Sequence, residues 1–479
     1  MSKIFLVARD EWRYWGRSKL ALWSTLLFAV LLVVTAVLTA LRMEHERSER
    51  IHHQAEAEET FLSQPARHPH RMVHYGHYVF RAPSPLSLID PGLDPVTGQS
   101  IFLEGHRQNS AMFADSSASA DLGGLSWLTP ALIYQLFGPL LLILLGHGAI
   151  VREREASTLV ALQAQGVRGF DLVAGKALAL ASAILVLLLP LGVSALAAIS
   201  MGESLIAAFA LIAIYFLYLN IWSLLSLLIS VLLQRRSSVL TGLTAVWLFS
   251  TLLMPALAVS NTTREFPLAG KIEVDLAMLE EVRKLGDGHN TEDPAFQKLR
   301  ADLFNRYNVN KVEDLPVNLR GVVATEGEAK LTETMNEFAD RRMAGELRQA
   351  SLLNRHGWLT PTLAVARASR SVSGTALETH QRFLREAEAV RFDFVQGLNK
   401  VHAEELSYVD DINRNSSDPE VEKRSRVDAT NWQVLDDFRF ETASQELRIE
   451  NASGSVLALT CWCLLLAAGS VLFGIRLKP

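Results

Sequence analysis

Six long apolar runs divide the chain, at 20–41, 126–150, 177–200, 205–233, 239–259 and 455–475. At 1.5 Å per residue the first is about 33 Å long as a helix, enough to cross a bilayer core. Between them the pattern switches to helical periodicity with charged faces, and strand-like alternation is weak. The pattern predicts an all-α membrane protein with six transmembrane helices and two extracytoplasmic insertions, the larger mainly helical. Pro130, Pro139 and Pro190 fall inside apolar runs, where neighbouring helices can satisfy the freed carbonyls. His147, between Gly146 and Gly148, lies near the end of the second run and reads as a hydrated interfacial side chain.

The segments follow from these runs. Residues 1–19 place Ile4, Ala8, Trp12 and Trp15 at helical spacing among Lys3, Arg9, Arg13 and Arg17. That is an amphipathic helix on the membrane surface. Residues 20–41 form the first span and 42–125 a first polar domain, where Pro83, Pro85, Pro91 and Pro95 forbid a continuous helix. Residues 126–259 hold spans two to five, with a short charged helix at 152–165. Residues 260–454 form a helical polar domain, and 455–479 the last span and its tail. In the larger domain 326–351 is heptad-like. Thr375-Ala376-Leu377-Glu378 has capping-box form, and Leu377, Leu384, Phe394, Leu398 and Val401 mark an apolar stripe. Trp358-Leu359-Thr360-Pro361 breaks the pattern and reads as a dip toward the membrane. Lys and Arg lie beside a span at the N-terminus, in the 152–176 segment, in the 234–236 loop and in the C-terminal tail. Both termini are therefore expected in the cytoplasm, with the two large polar domains outside.

Composition narrows the function. The 479 residues have a mean hydropathy of +0.18 and a formal charge of −5, which gives no basis for nucleic-acid binding. Cys461 and Cys463 both lie in the last apolar run and form no disulfide framework. The nearest approach to a phosphate-cradling loop, Gly169 to Gly175-Lys176-Ala177, has five residues between its glycines and no hydroxyl after the lysine. His402-Ala403-Glu404-Glu405-Leu406 lacks the second histidine of a zinc protease. Asp410-Asp411 and Asp436-Asp437 read as solvated surface pairs. No enzyme and no cofactor are expected in this chain. Eight of the thirteen histidines fall between 45 and 106: His45, His52, His53, His68, His70, His74, His77 and His106. Imidazole is the commonest metal ligand, so His68, His70, His74 and His77 form a candidate metal set. The competing reading leaves them solvated, with Tyr75, Tyr78 and Phe80 packing instead.

Between the second and third runs lies Arg152-Glu153-Arg154-Glu155-Ala156-Ser157-Thr158-Leu159, flanked on both sides by charge-free sequence. Six spans, an amphipathic N-terminal helix and this E-R-E-x-x-T-L segment resemble a permease of the type-2 ABC transporter class. Arg152, Glu153, Arg154, Glu155, Thr158 and Leu159 match the coupling helix of that class. Arg168, Gly175 and Lys176 match the basic turn that opens its third span. His74-Tyr75-Gly76-His77-Tyr78-Val79-Phe80, and Glu313-Asp314-Leu315-Pro316-Val317-Asn318 with Arg320-Gly321, resemble an uncharacterised bacterial subfamily with large periplasmic domains. The resemblance implies a multi-pass subunit in a bacterial inner membrane, moving an unknown cargo. It implies a separate ABC ATPase partner that holds ATP and Mg, a second permease as dimer partner, and an envelope partner for the outer domains. The alternative is a membrane-anchored periplasmic sensor or scaffold without transport. An ion-coupled carrier fits less well, because the spans are nearly free of charged side chains.

Overall fold

The computed structural model describes residues 2–111, 128–416, 418–433 and 438–477. The first two residues of the 126–150 run, Asp436-Asp437 and the last two residues of the tail lie outside them. The described chain is helical almost throughout, and six helices are long and apolar enough to cross a membrane. They are span 1 (Lys19–Leu62), span 2 (Pro130–Glu155), span 3 (Gly169–Ser200), span 4 (Leu205–Leu232), span 5 (Arg236–Glu265) and span 6 (Gln445–Ile475). A two-stranded antiparallel hairpin pairs His77–Phe80 with Ser100–Leu103, with Val79 opposite Ile101.

Two spans run further than hydropathy suggests. Span 1 continues as one helix past Leu41 to Leu62. Residues 42–62 are rich in Glu and Arg and hold neither Gly nor Pro, so nothing stops the helix until Ser63-Gln64-Pro65. Span 6 likewise begins at Gln445, on the N-cap of Ser444, ten residues before its apolar run. Both helices therefore reach into the polar regions.

The helix breaks have local causes. Pro130 sits in the first turn of span 2, capped by Thr129, where a missing N–H costs nothing. Only Pro139 is interior. Span 3 is interrupted at Leu188, just before Pro190, into Gly169–Leu187 and Leu189–Ser200. Span 5 contains a π-turn, Phe249–Leu253, ahead of Pro255. The capping box expected at Thr375 does not form. The N-cap of helix Leu377–Glu404 is Ala376; Thr375 Oγ1 instead donates to the Asp90 carbonyl at 3.0 Å, and Glu378 pairs with Arg367.

Two cores result. One lies in the bundle, around Tyr134, Tyr215, Tyr218 and Trp222. The other draws on both polar regions at once: Phe61, Met72, Val73, Val79 and Ile101 pack with Phe383, Phe394, Leu398 and Trp432. Short bridges join Arg67 to Val427 and Arg81 to Phe440. The regions that the sequence presents as two domains thus share one core, and are called the polar body here. Fully burying one such Phe contributes about 1.5–3 kcal/mol.

The polar body is seated on the bundle through helix Pro361–Ser373. Its Ala364, Val365, Ala368 and Val372 join the bundle core. Thr360, the residue before it, donates to the Ser250 carbonyl at 2.9 Å, and Trp462 of span 6 donates to the Trp358 carbonyl at 3.1 Å. A buried polar chain runs from Gln135 through Tyr215 and Ser369 to Asp90. Beside it Arg448 of span 6 makes a two-pronged contact with Glu203 at 2.6 and 3.2 Å, and donates to the Val372 carbonyl at 3.0 Å.

Both members of the 203–448 pair are buried, so removing one leaves a desolvated charge behind. Glu203→Ala should destabilise the detergent-purified protein by about 3–5 kcal/mol, read as a lower unfolding midpoint. The double variant Glu203→Leu with Arg448→Met should recover most of the loss. A midpoint unchanged in Glu203→Ala would show that the pair holds nothing together.

A candidate coupling knot and two histidine clusters

The charged segment that ends span 2 and continues past it is two short helices rather than one: Val151–Glu155 and Thr158–Ala164. They meet at Ser157, whose φ of 57° is left-handed. Each of four consecutive side chains reaches a different element. Arg152 donates to Glu11 of the N-terminal helix (Lys3–Arg17) at 2.7 Å, with its guanidinium 3.7 Å from the Tyr14 ring centre. Glu153 accepts from Lys176 of span 3 at 3.1 Å. Arg154 donates to the Leu233 and Val231 carbonyls at 2.7 and 3.2 Å, satisfying the exposed end of span 4. Glu155 accepts from the Arg236 backbone N–H at 2.8 Å, which caps the start of span 5 with negative charge.

The second short helix closes the arrangement. Thr158 donates back to Glu153 at 2.6 Å. Leu159 is buried with Ala149, Leu172, Val173, Leu227, Val231 and Leu477. Gln163 donates to the Leu477 carbonyl, just past span 6, at 3.2 Å. Arg168 stays exposed and opens span 3 with Asp171, whose carboxylate accepts from the Arg168 N–H at 3.0 Å. Left uncovered are Glu155, Ala156, Ser157, Thr158, Val160, Ala161, Ala164 and Gln165. The expected set therefore divides: Arg152, Glu153, Arg154 and Leu159 face inward, while Glu155, Thr158 and Arg168 have exposed surface.

At the centre lie Glu11 and Lys176, each about 1% exposed and in direct contact. Glu11, Glu153, Arg152 and Lys176 together are neutral, and each has an opposite charge beside it. The N-terminal helix packs on span 3 where Gly175 allows it: a Cβ there would stand 2.6 Å from the Val7 Cβ. Trp15 donates to the Leu145 carbonyl and Trp12 to Ser182. Trp15 is buried but Trp12 is 40% exposed, so the inward face is Ile4, Val7, Ala8, Glu11 and Trp15 rather than the expected stripe. His147 is half-buried and donates from Nδ1 to the Leu144 carbonyl at 2.9 Å, a satisfied group rather than a freely hydrated one.

The four histidines expected to converge do not. His68 is the N-cap of the short helix Pro69–Val73 and accepts the His70 N–H, which turns its ring away from that helix's outer face. Its Nε2 donates to Asp411 at 3.1 Å, and His402 donates to the same carboxylate at 2.8 Å. Asn318 and Arg414 donate to Asp411 as well, at 3.1 and 2.8 Å. Burial alone would raise this carboxyl, but these donors hold it far below the ordinary carboxylate range. Asp411 is completely buried, not the solvated surface acid expected from sequence. With Arg414 already on it, this trio is a staple between the two insertions and a poor cation site. His77 is buried on the inner side of the hairpin, 4.7 Å ring to ring from Phe61.

His70 and His74 do meet, one helical turn apart, with their Nε2 atoms 3.3 Å apart. Two further histidines join them: His106, after the hairpin, and His289, following helix Lys271–Arg283. The ligand nitrogens of all four lie within 4.8 Å of one another. Burial, then the neighbouring rings, lowers the pKa of His70 to about 3; burial also lowers those of His74 and His289. The shifts of His70, His74 and His289 favour the neutral imidazole. His106 donates from Nδ1 to Glu328 at 2.7 Å, and Glu328 also holds Arg391 at 2.6 Å.

Residues 271–441 match the family model described as Domain of unknown function (DUF3526). No curated protein matches the chain. The DUF3526 segment covers most of the second insertion and none of the six spans. It contains His289, Glu328, Arg391, His402 and Asp411; His68, His70, His74 and His106 come from the first insertion. Each histidine cluster therefore joins the DUF3526 segment to sequence outside it. The Glu313-to-Gly321 stretch gains a reason here too. Asn318 caps helix Leu319–His356 while bonding Asp411, and a Cβ on Gly321 would stand 2.3 Å from the Ala403 backbone nitrogen.

Sequence reasoning missed Glu11, His106, His289 and Asp411. Glu11 had a visible signal, an acid inside the apolar stripe of an amphipathic helix. The others lie far along the chain from the groups they meet. Glu11→Ala should release the N-terminal helix, since it leaves Lys176 buried without its closest partner. Trypsin should then cleave after Arg9 and Arg13 faster by about tenfold or more, 1.4 kcal/mol of lost docking being one such factor. Cleavage at the unaltered rate would mean that the knot does not hold the helix.

Proposed function

We propose that the chain is the permease subunit of an ATP-driven ABC transporter of the type-2 class, in a bacterial inner membrane. The observation that carries this reading is the reach of residues 151–165. One short segment grips the N-terminal helix and spans 3, 4, 5 and 6, yet offers an uncovered ridge of Val160, Ala161, Gln165 and Thr158. A push on that ridge is delivered to the whole bundle at once. The partner is a separate ABC ATPase, which holds the ATP and Mg, and a second permease completes the transporter. The ridge and both termini face the cytoplasm; the polar body faces the periplasm, where it meets cargo or an envelope partner.

A sensor or scaffold without transport is the second reading. What favours it is the single packed polar body, rigidly continuous with spans 1 and 6, as a docking platform would be. The two readings differ in whether the ridge has a partner.

Two measurements test the proposal. Val160→Asp with Ala161→Asp places charge on the ridge without touching the knot. Recovery of the cognate ATPase with the tagged permease should fall by about tenfold or more, roughly 1.4 kcal/mol of binding, while membrane insertion is unchanged. Equal recovery would remove the ridge from the ATPase interface. For orientation, both native cysteines are replaced and single cysteines placed at Arg71, Glu337, Val160 and Arg236. The first two should react with an impermeant maleimide once the outer membrane is opened, and the last two only after lysis. The reverse pattern would invert the topology.

A further inference from the structure

We propose that His70, His74, His106 and His289 form a binding site for one divalent d-block cation of the zinc type, clamping the DUF3526 segment to the first insertion. The four rings form a closed circuit. Neighbouring centroids are 4.8 Å apart for His70 and His74, 5.0 Å for His74 and His106, 4.9 Å for His106 and His289, and 4.8 Å for His289 and His70. The two diagonals are 6.0 and 6.2 Å. A flat square would have longer diagonals and a regular tetrahedron equal distances throughout, so the rings describe a flattened tetrahedron. With a Zn–N bond of about 2.0–2.1 Å, tetrahedral imidazoles stand with nitrogens about 3.3 Å apart and ring centres about 5 Å apart. The His70–His74 nitrogen separation of 3.3 Å and the four ring edges fit that size.

The surroundings favour a cation over a mere stack of rings. His106 gives its Nδ1 proton to Glu328, which fixes the tautomer and leaves Nε2 with its lone pair. That Nε2 is buried and has no hydrogen-bond partner among the described residues. A carboxylate on the far nitrogen of a ligating histidine is the usual way such a ligand is oriented and made more basic. His106 itself is held at φ 63°, a conformation that non-glycine residues adopt rarely. His74 and His289 are exposed, so they contribute little to any core and are available to a ligand. Four imidazole nitrogens and no carboxylate in the set select zinc, copper(II), nickel or cobalt over magnesium or calcium.

The topology gives the ion a role. Three ligands come from the first insertion and one from the loop after Lys271–Arg283, whose helix has no buried residue of its own. An ion bound to all four fastens that poorly packed part of the DUF3526 segment to the hairpin end of the first insertion. The inference stands apart from the transport reading, since it concerns the polar body alone.

The test uses the full chain in detergent, purified through a tag that contains no histidine, stripped with chelator and then loaded with zinc alone. The native protein should retain close to one zinc per chain after desalting, and its unfolding midpoint should rise with zinc but not with magnesium. His106→Ala and His289→Ala should each abolish retention and the rise, while His53→Ala, on the exposed face of span 1, should change neither. Loss of zinc from a misfolded variant is recognised by comparing metal-free samples. Metal-free His289→Ala should unfold at the same temperature as metal-free native protein, because that side chain is exposed. Equal zinc in native protein and His289→Ala, or well under one zinc per native chain, would overturn the proposal. Limited proteolysis between 284 and 296 should be slowed by zinc in native protein only; protection in His289→Ala as well would also count against the clamp.

Discussion

Charge taken out of water must be neutralised by charge or hydrogen bonds at close range, and that constraint shapes one whole end of this bundle. Glu11 and Lys176 are almost wholly buried, at a point where the N-terminal helix and the starts and ends of several spans converge. Uncompensated, either would cost several kcal/mol. Together with Arg152 and Glu153 they sum to zero, and each tolerates burial only while the others stay put. Displacing the short helices Val151–Glu155 and Thr158–Ala164 is therefore not a local event. It separates opposite charges, uncovers carbonyls at the end of span 4 and removes the carboxylate from the start of span 5. The strength of the knot is its mutual dependence more than any one of its pairs.

The polar body follows the same rule with different chemistry. Its buried acids sit where segments distant in sequence meet. Asp411 lies between His68 and His402, Glu328 between His106 and Arg391, and Asp90 beside Ser369 and the backbone of Gly92. Each of these carboxylates takes a partner from both the first and the second insertion. A buried acid of this kind adds little net stability over an apolar packing, but it rejects alternative arrangements. The hydrophobic core supplies the cohesion; the acids set the register in which the insertions combine.

The sequence shows what depends on period and length, and hides what depends on distant partners. Six spans were legible because each is a long apolar run whose length alone matches a bilayer. The extension of span 1 to Leu62 was not, because hydropathy marks where lipid ends and not where a helix ends. The chain 42–62 is polar but made of good helix formers. Residues 152–159 stood out through their position between two uncharged runs. Glu11 carried a signal, an acid on the apolar side of its helix, but the surrounding Lys3, Arg9, Arg13 and Arg17 pointed the reading toward the membrane surface. The histidine set shows the limit most clearly. His70 and His74 are legible as one turn of helix, but strand alternation sends His77 into the core, and capping geometry turns His68 aside. Their replacements, His106 and His289, are 32 and 215 residues beyond His74, and no local period connects them.

These facts constrain how motion can pass through the molecule. A domain carried on flexible loops could turn freely on its membrane base, but this body is not attached that way. Span 1 enters it as unbroken helix and buries Phe61 in its core, span 6 leaves it as unbroken helix, and Pro361–Ser373 is embedded in the bundle core. The two main breaks in spans 3 and 5 lie elsewhere, at Leu188 before Pro190 and at the Phe249–Leu253 π-turn, and the segment at the charged end breaks at Ser157. Packed helices of this kind move by small sliding shifts, with the angular change absorbed at such interruptions. On the proposed transport reading, a push at residues 151–165 would meet the interruptions in spans 3 and 5 as the places able to absorb it. The Glu203–Arg448 pair and the Tyr215–Ser369–Asp90 chain stand where the bundle and the body meet, so any such shift that reached the body would have to carry these buried polar contacts with it.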